Sequence, residues 1–355
     1  SRVFLIDDGN LSADKTISIS GLTLTGGDTT GGGAIFNSEN LTLTSSTITG
    51  NAVMFGAGGV YSGNGTSLTI ASSTIANNVA SLGGGISTSG ATLSITSSTF
   101  SGNTAASYGG GIFAQSSGVT LSSTTVSNNS ATYGGGVFSR FGSLTLTNST
   151  VSANQSTISG GGIFSSSADL SVNQSTITGN QANSDSNATG LGGGLAIYGP
   201  GAHELDHTIV AVNKRSLGSD DIFGALAASF SLIGDNTGAT ITNNGGTLIG
   251  TGAVPINPGL GPLLENAGPT FTHALLAGSP AIDAGDPAFL PPPTNDQRGA
   301  PFVRVFDGDG AGGARIDIGA YERQSVAGLS LVVDTLVDEN DGNYAAGDLS
   351  LREAI

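Results

Sequence analysis

The sequence predicts an all-β chain wound as a right-handed parallel β-helix, a solenoid of about 26 residues and three strands per coil with a C-terminal cap or anchor segment. Three recurrences carry this reading. A glycine cluster followed by an aliphatic residue returns at Ile35, Val60, Ile86, Ile112, Val137, Ile163 and Leu195, with successive spacings of 25, 26, 26, 25, 26 and 32. A second track, "LTL" or a variant, begins at Leu41, Leu68, Leu93, Val119, Leu144 and Leu170. A third, "STI" or "STV", places its apolar residue at Ile48, Ile75, Phe100, Val126, Val151 and Ile177.

Each track alternates with period two, as in Leu144-Thr145-Leu146. Such alternation marks a strand with its aliphatic side buried and its Ser/Thr side facing water. The glycines and asparagines between tracks supply turns that need positive φ. Coils stacked at about 4.8 Å would pair every strand in parallel with its neighbours above and below. A β-propeller needs about 40 residues and four strands per blade, so the period excludes it.

An asparagine follows the third track by three residues in every coil, at Asn51, Asn78, Asn103, Asn129, Asn154 and Asn180. A buried turn must satisfy its backbone polar groups, so these residues are expected to form an internal hydrogen-bond ladder rather than a row of ligand-binding amides. Phe113, Phe138 and Phe164 recur beside the glycine clusters at coil spacing and read as a stacked row, with sugar stacking as the alternative.

Composition bounds the function. Charged residues are 10% of the chain and the formal net charge is −16, so a nucleic-acid partner is not expected: phosphate binding needs basic stripes. Between Gly31 and Pro200 the charged residues are Glu39, Arg140, Asp169 and Asp185. Cysteine is absent, which rules out disulfides and thiolate metal sites, and no apolar run approaches the ~20 residues of a membrane helix. Neither an initiator Met nor a signal-like start is present at Ser1, so the chain is expected to be a piece of a longer protein.

The "GGGIF" and "STITGN" tracks resemble the polymorphic outer-membrane-protein repeats of bacterial surface adhesins. The opening "SRVFLIDDGN" with "ISISGLTLTGG" resembles the first coils of bacterial proteins that carry a CSLREA domain. "LGPLLENAGPTFTHALLAGSPAIDAGD", "DQRGAP" and "DIGAYE" at 317–322 resemble the choice-of-anchor Q region. "VVDTLVDENDGNYAAGDLSLREAI" at 332–355 resembles the CSLREA motif itself, departing at Leu349 where that family usually has Cys. The resemblance implies a large extracellular or surface-displayed bacterial protein, assembled from tandem units.

On this reading residues 1–290 form the β-helix, regular over 1–213 and irregular over 214–290. Residues 291–328 form a cap or anchor piece ending in "DIGAYE" and a linker, and 329–355 begin a following unit. The expected role is a building block of an extracellular fibre, sheath or layer that associates with itself head-to-tail or laterally. An adhesin for glycans or cell surfaces is the alternative, and a polysaccharide lyase or hydrolase the less favoured one. With four charged residues over 170 coil positions, no catalytic set can be named, and the chain is read as not an enzyme.

Two acidic, glycine-rich loops have the oxygen-rich spacing that hard cations favour, and both are expected Ca²⁺ sites: Asp307, Asp309 and Asp317 in one, Asp338, Asn340, Asp341 and Asp348 in the other. The alternative is acidic turns in which Asp takes Asx-turn roles. His203, Glu204, Asp206 and His207 form the densest group of metal-capable side chains in the coils, but the irregular spacing before Leu195 favours a local insertion over a zinc site.

Overall fold

The computed structural model describes residues 2–324 except 11–14, 30, 185–189, 217, 309 and 311. Each coil supplies one strand to each of three stacked parallel sheets. The first sheet holds the strands after the glycine clusters, such as Ile112–Gln115, Val137–Arg140 and Ile163–Ser166. The second holds the "LTL" strands, such as Gly118–Ser122 and Ser143–Thr147, and the third the "STI" strands, such as Thr125–Ser127 and Thr150–Ser152. Pairing is in register by track: Leu121 opposite Leu146, Val126 opposite Val151, Ile112 opposite Val137. A fourth short parallel set, including Thr104–Tyr108 and Ser130–Tyr133, fills the return to the glycine cluster. The first two sheets merge where the long strand Ile222–Ser229 pairs with both.

The aliphatic residues of the three tracks point inward as the alternation requires, with Ile112, Leu121 and Val126 each fully buried in one continuous core. The asparagine column stands beside this core. Asn51 Nδ2 donates to Asn78 Oδ1 at 2.8 Å, and the same bond repeats through Asn103, Asn129, Asn154 and Asn180 at 2.9–3.0 Å. The column runs one coil further, from Asn180 to Asn213 at 2.9 Å, and ends on the carboxylate of Asp221, which accepts from Asn213 Nδ2 at 2.9 Å. The glycine clusters are needed next to this ladder. A Cβ on Gly136 would lie 2.7 Å from the carbonyl oxygen of Gly162 and 3.1 Å from the Asn154 amide, so a side chain there would force the coils apart.

A second ladder lies at the tight turn between the second and third sheets. One residue per coil takes positive φ there (Ser97, Ser123 and Asn148 among them), and the next residue's hydroxyl accepts from the backbone N–H one coil earlier, as Ser149 Oγ does from Thr124 at 3.2 Å.

Coil pairing in the third sheet ends at Leu248–Ile249. Residues 258–323 then fold back as a strap along the outside of that sheet. Leu260–Leu264 pairs antiparallel with Thr272–Leu275 instead of adding a coil. The strap is bonded to successive coils: Thr125 Oγ1 donates to Phe271 O at 2.6 Å, Thr150 Oγ1 to Gln297 Oε1 at 2.6 Å, and the Ala320 N–H to Thr176 Oγ1 at 3.0 Å. A second apolar core forms beneath it from the outward faces of Ile209, Ala211 and Leu232 and the strap's Leu275, Ala281 and Ile318.

The strap's own interior is charged. Arg298 holds Asp296 through Nε and Nη2 at 2.6–3.2 Å, and its guanidinium is sandwiched between the rings of Phe302 and Tyr321 at 3.6 and 3.8 Å. Arg304, fully buried, donates to Asn148 Oδ1, Gln174 O and Gly319 O and lies 3.7 Å from Glu322. Burial, reinforced by the Asp317 charge, pushes the Glu322 carboxyl up to about 10. Among the described residues, no helix is long and apolar enough to cross a membrane.

Candidate functional site

Period-two alternation on the first sheet sends residues i and i+2 to the same outer face. In Val137–Arg140 the outward pair is Phe138 and Arg140, with Ser139 turned in and fully buried between them. The neighbouring coils repeat this as Phe113 with Gln115 and Phe164 with Ser166, all in register. The flank therefore carries two parallel rows, one aromatic (Phe113–Phe138–Phe164) and one polar (Gln115–Arg140–Ser166). Ring centroids within the aromatic row are 5.5 and 5.1 Å apart, and the last pair is inclined by only 5°. The row continues through Tyr198, 5.1 Å from Phe164, to Phe223.

Tyr108 and Tyr133 end the fourth-set strands just before their glycine clusters and stack on each other at 5.7 Å. They lean on the phenylalanine row, Tyr108 at 4.8 Å from Phe138 and Tyr133 edge-on at 5.4 Å from Phe164. Together the two tyrosines, the phenylalanine floor and the polar row enclose an open groove of about 380 Å³. Phe113 and Phe138 are 7% and 5% exposed, so they are floor, whereas Tyr108 at 37% is wall. The phenylalanine floor is legible in the sequence, whereas the tyrosine wall is an addition of the folded coil. The signal was available, since Tyr108 and Tyr133 are themselves one coil apart.

A family model described as a right handed beta helix region matches residues 32–213, just over half of the chain. The chain belongs to the right-handed β-helix family. Among solved structures, this β-helix is similar to the crystal structure of pectate lyase Pel9A, at 13% identity and a TM-score of 0.50, over 88% of this chain and 89% of that one. No curated protein matches the chain significantly. The likeness corrects the expectation that the chain is not an enzyme. This coil architecture carries catalysis in another protein, and scarcity of charge across a solenoid does not exclude it, because a reaction needs only a few side chains gathered on one face.

The other residues singled out in the sequence divide sharply. The six ladder asparagines are 0–1% exposed and bonded to one another inside the β-helix. Of the first acidic loop, Asp307 accepts the Gly310 N–H, while Asp317 is buried and accepts the backbone N–H groups of Asp283 and Arg323. Burial is the main cause that raises the Asp317 pKa to about 7. Asp309 lies outside the described residues, as do Asp338, Asn340, Asp341 and Asp348. The three carboxylates that do converge among the described residues are Asp7, Asp8 and Glu39, with ligand atoms within 4.8 Å of one another. Glu39 there also accepts the backbone N–H groups of Asp8 and Lys15. The histidine pair is split: His203 faces a groove beside Gly201 and Leu226, whereas His207 is buried, with Nδ1 2.9 Å from Asp206 and Nε2 accepting the Asp286 N–H of the strap. Asp169 bonds the Ala202 N–H on the second sheet, away from the row that holds Arg140.

Proposed function

We propose that this β-helix is an extracellular glycan-binding protein that holds a polysaccharide chain against the aromatic flank of its coils. The observation that supports this most directly is the groove between the Tyr108–Tyr133 wall and the Gln115–Arg140–Ser166 row. The exposed Tyr108 and the half-buried Tyr133 offer stacking surface for the apolar faces of sugar rings, and a row of donors beside them meets the hydroxyls. The rows run coil to coil in register, which suits an extended polymer better than a compact ligand. The resemblance of the repeats to bacterial surface proteins supports the extracellular placement.

The test is affinity electrophoresis of the full chain through gels carrying neutral and acidic polysaccharides, with new reducing ends assayed in parallel for cleavage. Retardation by at least one polysaccharide, lost in Tyr133→Ala while the melting temperature holds, is the expected result. A chain that migrates freely in every gel, or a Tyr133→Ala variant retarded like the parent, would overturn the proposal.

A further inference from the structure

We infer that the groove selects an anionic polysaccharide and that Arg140 is the residue that reads its charge. This deepens the glycan-binding reading and rests on it. Arg140 is the sole basic residue between Gly31 and Pro200, and it stands in the middle of the polar row, exposed, two residues from the buried Phe138. Its guanidinium sits 4.3 Å over the ring of Phe141, which holds the planar fork at the groove's edge. Among the described residues it has no carboxylate partner: the ion pairs join Lys15, His207, Arg215, Arg298 and Arg304 to acids elsewhere. Its neighbours in register, Gln115 and Ser166, are uncharged and able to donate hydrogen bonds. A guanidinium with donors on either side and aromatic rings below is a receptor for an acidic group carried on a sugar ring, because the fork matches carboxylate and sulfate oxygens in pairs. The wider chain is acidic, but its negative charge is concentrated outside these coils, so an anionic polymer meets little repulsion along this flank.

The shared chemistry is an oxyanion on a polysaccharide, and matched probes separate its two sources. Affinity of the full chain is measured for polygalacturonate against its carboxyl-reduced form, and for dextran sulfate against dextran. A preference of about tenfold is expected for the charged member of at least one pair, and which pair shows it names the oxyanion. Arg140→Gln should erase the preference, bringing affinity for the charged member of the pair down to that for the neutral one. Arg140→Lys should restore only part of it, since an ammonium lacks the fork. Added salt should weaken the parent protein on charged probes more than the Arg140→Gln variant. Equal affinity within both pairs, or a preference that survives Arg140→Gln, overturns this inference and leaves glycan binding intact. Absence of binding to all four probes also overturns this inference, and retardation of the full chain in the polysaccharide gels then decides the glycan-binding reading separately.

Discussion

The third sheet can be compared with itself along the solenoid axis, because its strands from Thr47 to Thr178 have nearly the same sequence and two different surroundings. In the early coils the strands Thr47–Thr49 and Thr99–Ser101 face solvent, and their outward Thr and Ser side chains are only half-buried. In the later coils Thr125–Ser127, Thr150–Ser152 and Thr176–Thr178 are buried on both faces, because residues 258–323 lie across them. The same pattern of Thr, an apolar residue and then Thr or Ser is thus a wetted surface in one place and half of an interface in another. A β-strand's outward face is defined by what is packed on it, and alternation by itself reports only which face is inward.

The comparison breaks most severely at the strap's buried cation. Arg304→Ala removes bonds to Asn148, Gln174 and Gly319 and leaves Glu322 and Asp317 together without it. A loss of ~3–5 kcal/mol is expected. Hydrogen exchange should rise in residues 258–323 and at Thr125, Thr150 and Thr176 while the strands around Ile48 and Ile75 keep their protection. Uniform loss of protection would show that strap and coils form one cooperative unit.

Asn129→Ala tests the element common to both regions. It removes the acceptor of Asn103 Nδ2 and the donors to Asn154 Oδ1 and Phe100 O, leaving buried polar groups unpaired at about 1–3 kcal/mol each. Urea unfolding should show the midpoint fall, with early and late coils affected together.

The pH dependence separates the regions again, since the strap holds the carboxyls that burial raises. Asp317 at about 7 and Glu322 at about 10 both lie above their ordinary values, so the folded strap binds these protons more tightly than the unfolded chain. Their contribution is fully present below about pH 4 and is lost as pH rises through the folded values. Strap protection should therefore weaken between about pH 5 and 9, and Asp317→Asn should flatten the first part of that fall. His273 works in the opposite sense. Its Nε2 lies 2.8 Å from Ser152 Oγ, and burial lowers its pKa, so its contribution is present above about pH 6.5 and declines as pH drops below that. A strap stability that increases steadily from pH 5 to 9 would contradict the carboxyl assignment.

The smallest effect is the most direct reading of the comparison. Thr150→Ala removes a bond to Gln297 and should cost about 1 kcal/mol, whereas Thr99→Ala, at the equivalent place on the bare coils, should stay within about 0.5 kcal/mol of the parent. Equal costs at the two sites would mean that the strap contributes nothing at Thr150.

Much of this fold is written locally. The inward aliphatic tracks, the asparagine ladder and the phenylalanine row all follow from a period of about 26 residues, because each coil repeats its neighbour's environment and position in the period fixes position in space. Even the strap left a trace: Ile209-Val210-Ala211 is apolar throughout where earlier coils read Thr-Ile-Thr, since both of its faces are covered. The sequence could not say what covers them. "DQRGAP" and "DIGAYE" are irregular, with no periodicity to place them, and only the folded chain shows Asp296, Arg298, Arg304, Asp317 and Glu322 closing on one another against coils more than a hundred residues earlier. The groove is divided in the same way. Period two placed Phe138 and Arg140 on one face, but the tyrosine wall comes from a neighbouring strand set across a glycine turn, and that closure is decided by the path of the coil in three dimensions.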